Sequence, residues 1–568
     1  MAETDYPRRF VKTGEVLDDL TRIEPYFRDL LARDITALAD LEQWLLDGSE
    51  LAACLAELRT DRYVQMTCHT DDEQLAQRYL RFVEEIDPPC RKWWHELNLK
   101  YVAAPAASQL PPQRYFVLDR STRAAVDLFR EKNIPLLVDQ TRIAQEYQKI
   151  CGQMTVQFDG EEKTLQQMGV YLENTDRALR QQAWELVSAR RLEDREKLED
   201  IYDALRAVRT RLAENADMPD FREYAFRGYE RFDYTPQDCL AFHDAIERAV
   251  VPAVRAMNAR RQALLGVDSL RPWDLSVDPK GRDRLQPFDS VEELCAGCQQ
   301  IFDRVDPELG RQFADMRKNN YLDLASRKGK APGGYQSTYE EQRRPFIFMN
   351  AVGLHRDVET LLHEGGHSFH AYASRDDDLI GYRSAPIEFA EVASMGMELL
   401  AMDHLDVFYA GDDLVRAKRK QLEGILAIFP WVATIDAFQH WVYTHPQHSR
   451  DDRKAYWLSL QSRFGGGVDY TGYADAEAYA WHRQLHLFEL PFYYVEYAIA
   501  QLGALQVWQN ARRDRAAAVR QYRAGLAVGG ARPLPELFSA AGIRFDFTYD
   551  TVAPLIEAVQ HELDQLPD

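Results

Sequence analysis

Thr360-Leu-Leu-His363-Glu364-Gly-Gly-His367-Ser-Phe-His370 contains the pattern His-Glu-x-x-His. Residues four apart share one face of a helix, so His363 and His367 can present two nitrogens to a single zinc ion. Glu364, one residue on, is displaced enough to miss the metal and reach a water bound to it, which is where a general base must stand. Asp357 is a reasonable N-cap, and Val358, Leu361 and Leu362 supply an apolar face, so the spacing predicts a helix here. Gly365 and Gly366 each cost a helix interior about 1 kcal/mol relative to alanine. A helix that keeps both predicts close backbone approach on that side.

A catalytic zinc needs a third protein ligand and an open fourth position. Downstream, Ser384-Ala-Pro386 reads as a helix start, followed by Ile387-Glu388-Phe-Ala-Glu391-Val-Ala-Ser-Met-Gly-Met-Glu398. Glu388, Glu391 and Glu398 fall on one side of that helix among apolar residues, and a buried carboxylate needs a partner. Position alone leaves Glu388 and Glu391 both open as the third ligand.

Further out, most of the chain carries helical periodicity, as in residues 177–215 and throughout the first hundred residues. Breakers gather at 103–113 and in the proline-containing stretch 266–290, a surface excursion or an internal boundary. Strand candidates are few. Gln153–Phe158 and Glu161–Thr164 flank Asp159-Gly160, a plausible hairpin turn, and Pro345-Phe-Ile-Phe-Met-Asn350 is a short apolar run just before the zinc motif. The reading is mainly α with a small β-sheet.

Composition removes several classes of function. The 568 residues carry 69 Lys+Arg against 91 Asp+Glu, a formal charge of −22, which argues against nucleic acid or an anionic membrane as the main partner. The first residues are charged where a secretory signal would be apolar, and no run appears long enough to span a membrane. Seven cysteines show no disulfide framework; Cys295-Ala-Gly-Cys298 reads as two buried helix thiols, and the expected compartment is a reducing cytoplasm.

With His363-Glu364-Gly-Gly-His367-Ser-Phe-His370, then Phe389-Ala-Glu391-Val-Ala-Ser394, then His486-Leu-Phe-Glu-Leu-Pro491-Phe-Tyr493-Tyr494-Val-Glu-Tyr497 on the page, the chain resembles the thimet oligopeptidase and oligoendopeptidase F family of gluzincin metallopeptidases, especially its Pz-peptidase-like members. The resemblance covers roughly 200–568. It implies a closed, mostly helical body with a deep central cleft, a small sheet beside the zinc helix, an N-terminal capping region over 1–195 and a catalytic region over 196–568. It also implies one Zn2+ per chain held by His363, His367 and Glu391, with Glu398 and Glu359 as candidates to orient a ligand histidine. His486, Tyr494 and Tyr497 become the expected oxyanion donors. Tyr493 rivals Tyr494, because the histidine-to-tyrosine interval is about one residue shorter than in thimet oligopeptidase.

The implied activity is endopeptidase cleavage of short peptides by a metal-activated water with Glu364 as base. The alternatives are a dipeptidyl carboxypeptidase, for which Arg343, Arg344 or Arg383 would clamp the terminal carboxylate, and a non-catalytic zinc-stabilised peptide-binding protein. Gly333, Gly334 and Tyr335, leading to Phe348 and Asn350 in the 345–350 run, are expected to bind substrate if that run is an edge strand; it reads equally as a buried one. Phe464-Gly465-Gly-Gly467 through Thr471-Gly472-Tyr473 is expected to flex over substrate and deliver a loop-borne His486. A monomer or small homo-oligomer is expected.

Overall fold

The computed structural model describes residues 6–327, 329–331 and 333–567. Helices dominate, as the periodicity predicts. Five short strands occur among the described residues: β1 (Thr155–Phe158), β2 (Glu161–Thr164), β3 (Leu322–Ala325), β4 (Tyr335–Tyr339) and β5 (Arg344–Ala351). The chain packs as two units. The first combines residues 1–127, 286–418 and 500–545; the second combines 128–285, 419–499 and 546–568. The 285/286 division falls inside the proline-containing stretch 266–290. The first break, at 127/128, does not coincide with one at 195, and each unit is assembled from non-contiguous stretches.

In the second unit β1 and β2 pair antiparallel, with Phe158 opposite Glu161. Asp159 and Gly160, at φ of 55° and 77°, form the left-handed two-residue turn that matches strand twist. The 177–215 periodicity resolves into two helices, Arg177–Glu193 and Arg195–Asn215. The break is at Asp194, whose carboxylate takes Arg190 and Lys197 at 2.7 Å each. Part of the 266–290 stretch is anchored, because Trp273 and Asp274 are buried and Arg180 meets Asp274 at 3.0 Å.

In the first unit the sheet order is β3-β5-β4, with β5 parallel to β3 and antiparallel to β4. The 345–350 run is therefore the central strand, and β3 and β4 are the edges. Phe346 and Phe348 pack with Val64 and Cys68 from the helix Leu38–Cys68. Beside them the Lys330 ammonium sits 4.4 Å from the Phe348 ring centroid and 2.9 Å from Asp323 Oδ1.

The helix Gly411–Thr444 contains an 18-residue window apolar enough to span a membrane, which the reading of the sequence missed. That window is 78% buried inside the protein, as befits a core helix. All seven cysteines are free thiols, Cys298 fully buried and Cys295 partly so.

Candidate metal centre and catalytic residues

The helix that carries the motif spans His355–Ser374. It starts two residues before the predicted cap. Asp357 instead sits at its third position and accepts from the Val352 and Leu354 backbone N–H groups at 2.8 and 2.9 Å. The second helix, Ile387–Ala401, begins just after Pro386. The two glycines explain how the helices meet. A Cβ on Gly366 would lie 2.4 Å from the Ala393 carbonyl oxygen, and one on Gly365 would lie 2.6 Å from the Phe302 ring. Backbone thus packs on backbone at Gly366. The Tyr522 hydroxyl, donating to the same Ala393 carbonyl at 2.6 Å, also holds the second helix. Gly366→Ala should force the helices apart at a cost of about 1–3 kcal/mol, seen as a lower Tm and a reduced metal content at limiting metal.

That approach brings His363, His367 and Glu391 together, with their ligand atoms all within 4.8 Å of one another. His363 Nε2 and His367 Nε2 stand 3.3 and 3.6 Å from Glu391 Oε2. Two ligands bound at about 2.05 Å on a tetrahedral ion stand about 3.4 Å apart, so the trio fits a zinc-sized cation. Ser394 Oγ donates to Glu391 Oε2 at 2.9 Å and holds the carboxylate. Glu398 Oε1 lies 2.6 Å from His363 Nδ1. Glu359 turns elsewhere, to His355 at 3.3 Å, and His355 Nδ1 lies 2.6 Å from the Tyr409 hydroxyl. Glu388 is buried but outside the trio. His370 is buried against the Phe389 ring, its Nε2 without a hydrogen-bond partner.

Electrostatics separate the roles in the metal-free chain. Burial works against charge on His363, but its bonds to Glu391 and Glu398 win and raise its pKa well above the usual value. Glu391 is held down at about 2: burial pushes the other way, and His367 and His363 outweigh it. Burial lowers His367 to about 4. Burial pushes Glu364 up to about 7, His363 opposing and Glu391 assisting, while the Gln336 backbone N–H on β4 bonds to its carboxylate.

His486, Tyr493, Tyr494 and Tyr497 gather in the second unit. The His486 ring centroid is 4.8 Å from that of Tyr494 and 5.9 Å from those of Tyr493 and Tyr497. Both rival tyrosines belong to the cluster, with Tyr494 nearer. His486 lies on a short helix, Leu485–Glu489, rather than on a free loop. Buried Arg209 donates to the Leu487 carbonyl at 2.9 Å, to that of Phe488, and to the Tyr443 hydroxyl at 2.8 Å. The glycine-rich 464–473 stretch is likewise tethered: Arg271 reaches Asp469 at 2.9 Å and the Thr471 carbonyl at 2.6 Å.

The expected substrate residues divide. Phe348 is fully buried, and Tyr335 stacks on it at 4.8 Å with its hydroxyl 2.6 Å from Thr67 Oγ1. Asn350 donates to the Ala331 and Gly333 carbonyls at 2.8 and 3.0 Å. These side chains build the sheet and pin its turn, because a central strand has its backbone already paired. Gly334 lies against the motif helix, where an added Cβ would be 3.3 Å from Thr360. Gln336 and Ser394 were missed. Ser394 was legible as the residue three after Glu391 on one helix; the Gln336 contact, made by backbone, leaves no side-chain signal.

A second group of potential donors, Cys239, Asp436 and His440, is buried in the other unit. There His243 Nε2 stands 2.8 Å from Asp436 Oδ2. That is hydrogen-bond spacing, shorter than two ligands of one ion require, so the group reads as a structural His–Asp network.

The sequence profile of Peptidase family M3 matches residues 170–553. An oligoendopeptidase F homolog of Borreliella burgdorferi is 24% identical over 255 residues, 42% of this chain and 42% of that protein. The oligopeptidase PepF of Bacillus subtilis is 25% identical over 272 residues, 46% of this chain and 39% of that one. The chain thus spans about two fifths of the length of these two curated relatives. Among solved structures, Pz peptidase A with an inhibitor superposes with a TM-score of 0.90 at 26% identity, covering 99% of this chain and 98% of that one. The oligoendopeptidase F of Enterococcus faecium, at 14% identity and a TM-score of 0.62 over 96% and 97% of the two chains, shares the fold.

Proposed function

Because the chain belongs to peptidase family M3, we propose that it is a zinc-dependent endopeptidase cleaving internal bonds of short peptides. The observation that carries this reading is the convergence of His363, His367 and Glu391 beside a buried Glu364. Zinc bound there supplies a Lewis acid that polarises the scissile carbonyl and acidifies water. Glu364 would take the proton of the attacking water and pass it to the leaving amine. Glu398 accepts from His363 Nδ1–H, which leaves Nε2 as the ligand atom. By the family resemblance, His486 and the tyrosines around it would be the donors to the developing oxyanion. An extended peptide would pair along β4, one of the two edge strands, rather than along the central β5.

The internal-cleavage reading is favoured over the carboxypeptidase because each arginine considered as a clamp has another partner. Arg383 is buried and donates to the Asp377 and Glu340 carbonyls at 2.8 Å each. Arg343 donates to the Arg375 carbonyl at 2.8 Å, and Arg344 faces Asp315 at 4.0 Å. A cytoplasmic setting accords with seven free thiols. Incubation with a mixture of short peptides, mapped by mass spectrometry, should give internal cuts that a chelator abolishes and zinc restores. Cuts confined to two residues from the C-terminus would replace this reading with the exopeptidase, and no cuts at all would leave peptide binding.

A further inference from the structure

The neighbours of His486 determine which of its nitrogens carries the proton. An indole N–H can only donate, and Trp431 Nε1 lies 2.9 Å from Gln484 Oε1. That contact fixes which end of the amide is oxygen and removes the usual amide ambiguity. The amide nitrogen therefore faces His486, where Gln484 Nε2 stands 2.8 Å from Nδ1. An NH2 group can only donate, so Nδ1 must be bare. Burial pushes the His486 pKa down to about 4, so the ring is neutral near pH 7. A neutral ring with a bare Nδ1 keeps its one proton on Nε2.

We infer that Gln484, locked by Trp431, is a positioning residue that holds His486 in the Nε2–H form, so that the ring offers a donor and not an acceptor. The inference rests on the proposed role of His486 toward the oxyanion. Tyr494 lies beside the same pair: burial raises its pKa, and Trp431 and Gln484 act against that rise. Other titratable or charged groups around the device are Tyr493, Tyr497, Glu489 on the same short helix, and Arg483, whose guanidinium lies 4.9 Å over the Trp431 ring.

Gln484→Glu tests this without changing size. A carboxylate still accepts from Trp431 but cannot donate to Nδ1; it captures Nδ1–H instead, strips the proton from Nε2 and favours the imidazolium. Two readouts apply. Carbethoxylation of His486 by diethyl pyrocarbonate, followed by mass spectrometry across pH, should show the protonation midpoint rising by about one unit or more in the variant. The kcat at pH 8 should fall roughly 100-fold, the scale of losing one oxyanion donor. KM should stay nearly constant, and activity should partly recover toward pH 6 as the imidazolium restores Nε2–H. Trp431→Phe, which frees the amide to turn, should give a smaller loss in kcat. An unshifted modification midpoint, or a wild-type pH profile in Gln484→Glu, overturns the inference. If the wild-type protein cuts no peptide, the functional reading fails by itself, and the modification midpoint alone still decides the tautomer.

Discussion

Glu364→Gln should lower turnover of a susceptible peptide by roughly 10²- to 10⁴-fold while leaving the metal content at one per chain. Glutamine keeps the shape and can still accept from the Gln336 N–H, but it cannot shuttle a proton. Stability supplies an independent check. In the metal-free chain the pKa of Glu364 is raised from 4.5 to about 7, so its ionisation opposes folding. That penalty is absent below pH 4.5, grows as pH rises and is complete above about 7. The metal-free variant, free of it, should melt no lower than the metal-free parent at pH 8. Calorimetry together with peptide kinetics tests both statements. A variant of full activity would remove Glu364 from the mechanism.

Glu391→Ala should abolish activity by abolishing metal retention. The two histidines on one helix turn would then lack the only carboxylate, among the described residues, whose oxygen stands within ligand spacing of both. Affinity should drop by more than the roughly 10- to 100-fold expected for Glu398→Gln, which removes only the acceptor behind His363. Metal analysis after dialysis against a graded chelator separates the two variants. If Glu391→Ala retained metal as Glu398→Gln does, another residue would have to be the third ligand, and Glu388 is the nearest alternative in sequence.

The parts of the site that were legible in the sequence are those set by local spacing. The i, i+4 histidines, the adjacent base and the pair of costly glycines together announced a ligand helix pressed on another backbone, and Ala393 is that backbone. The Asp159-Gly160 turn was legible for the same reason. The 345–350 run was left open between an edge and a buried strand, although its unbroken apolarity marks a strand buried on both faces; alternation is what an exposed edge would have shown. Long-range partners left no trace. Arg271 tethers the glycine-rich stretch from 198 positions away, and Arg209 grips the His486 segment from 278 away. Helical periodicity reports which face is buried, not against what. The interleaving of three chain stretches in each unit is invisible for that reason.

The interleaving also has a consequence for biosynthesis. The metal-ligand helix ending at Ala401 is backed by Tyr522, and its unit is completed only by residues 500–545. At about 5–20 residues per second, the roughly 150 residues from Glu391 to the end of that unit take about 10–30 s to translate. During that interval both ligand helices exist without the segment that seats them. Newly made chains therefore cannot hold a finished metal centre until residues 500–545 have been made, and metal acquisition becomes a late event. A truncation between residues 401 and 545 should leave a protein that has every ligand in its sequence and no stable place to hold the ion.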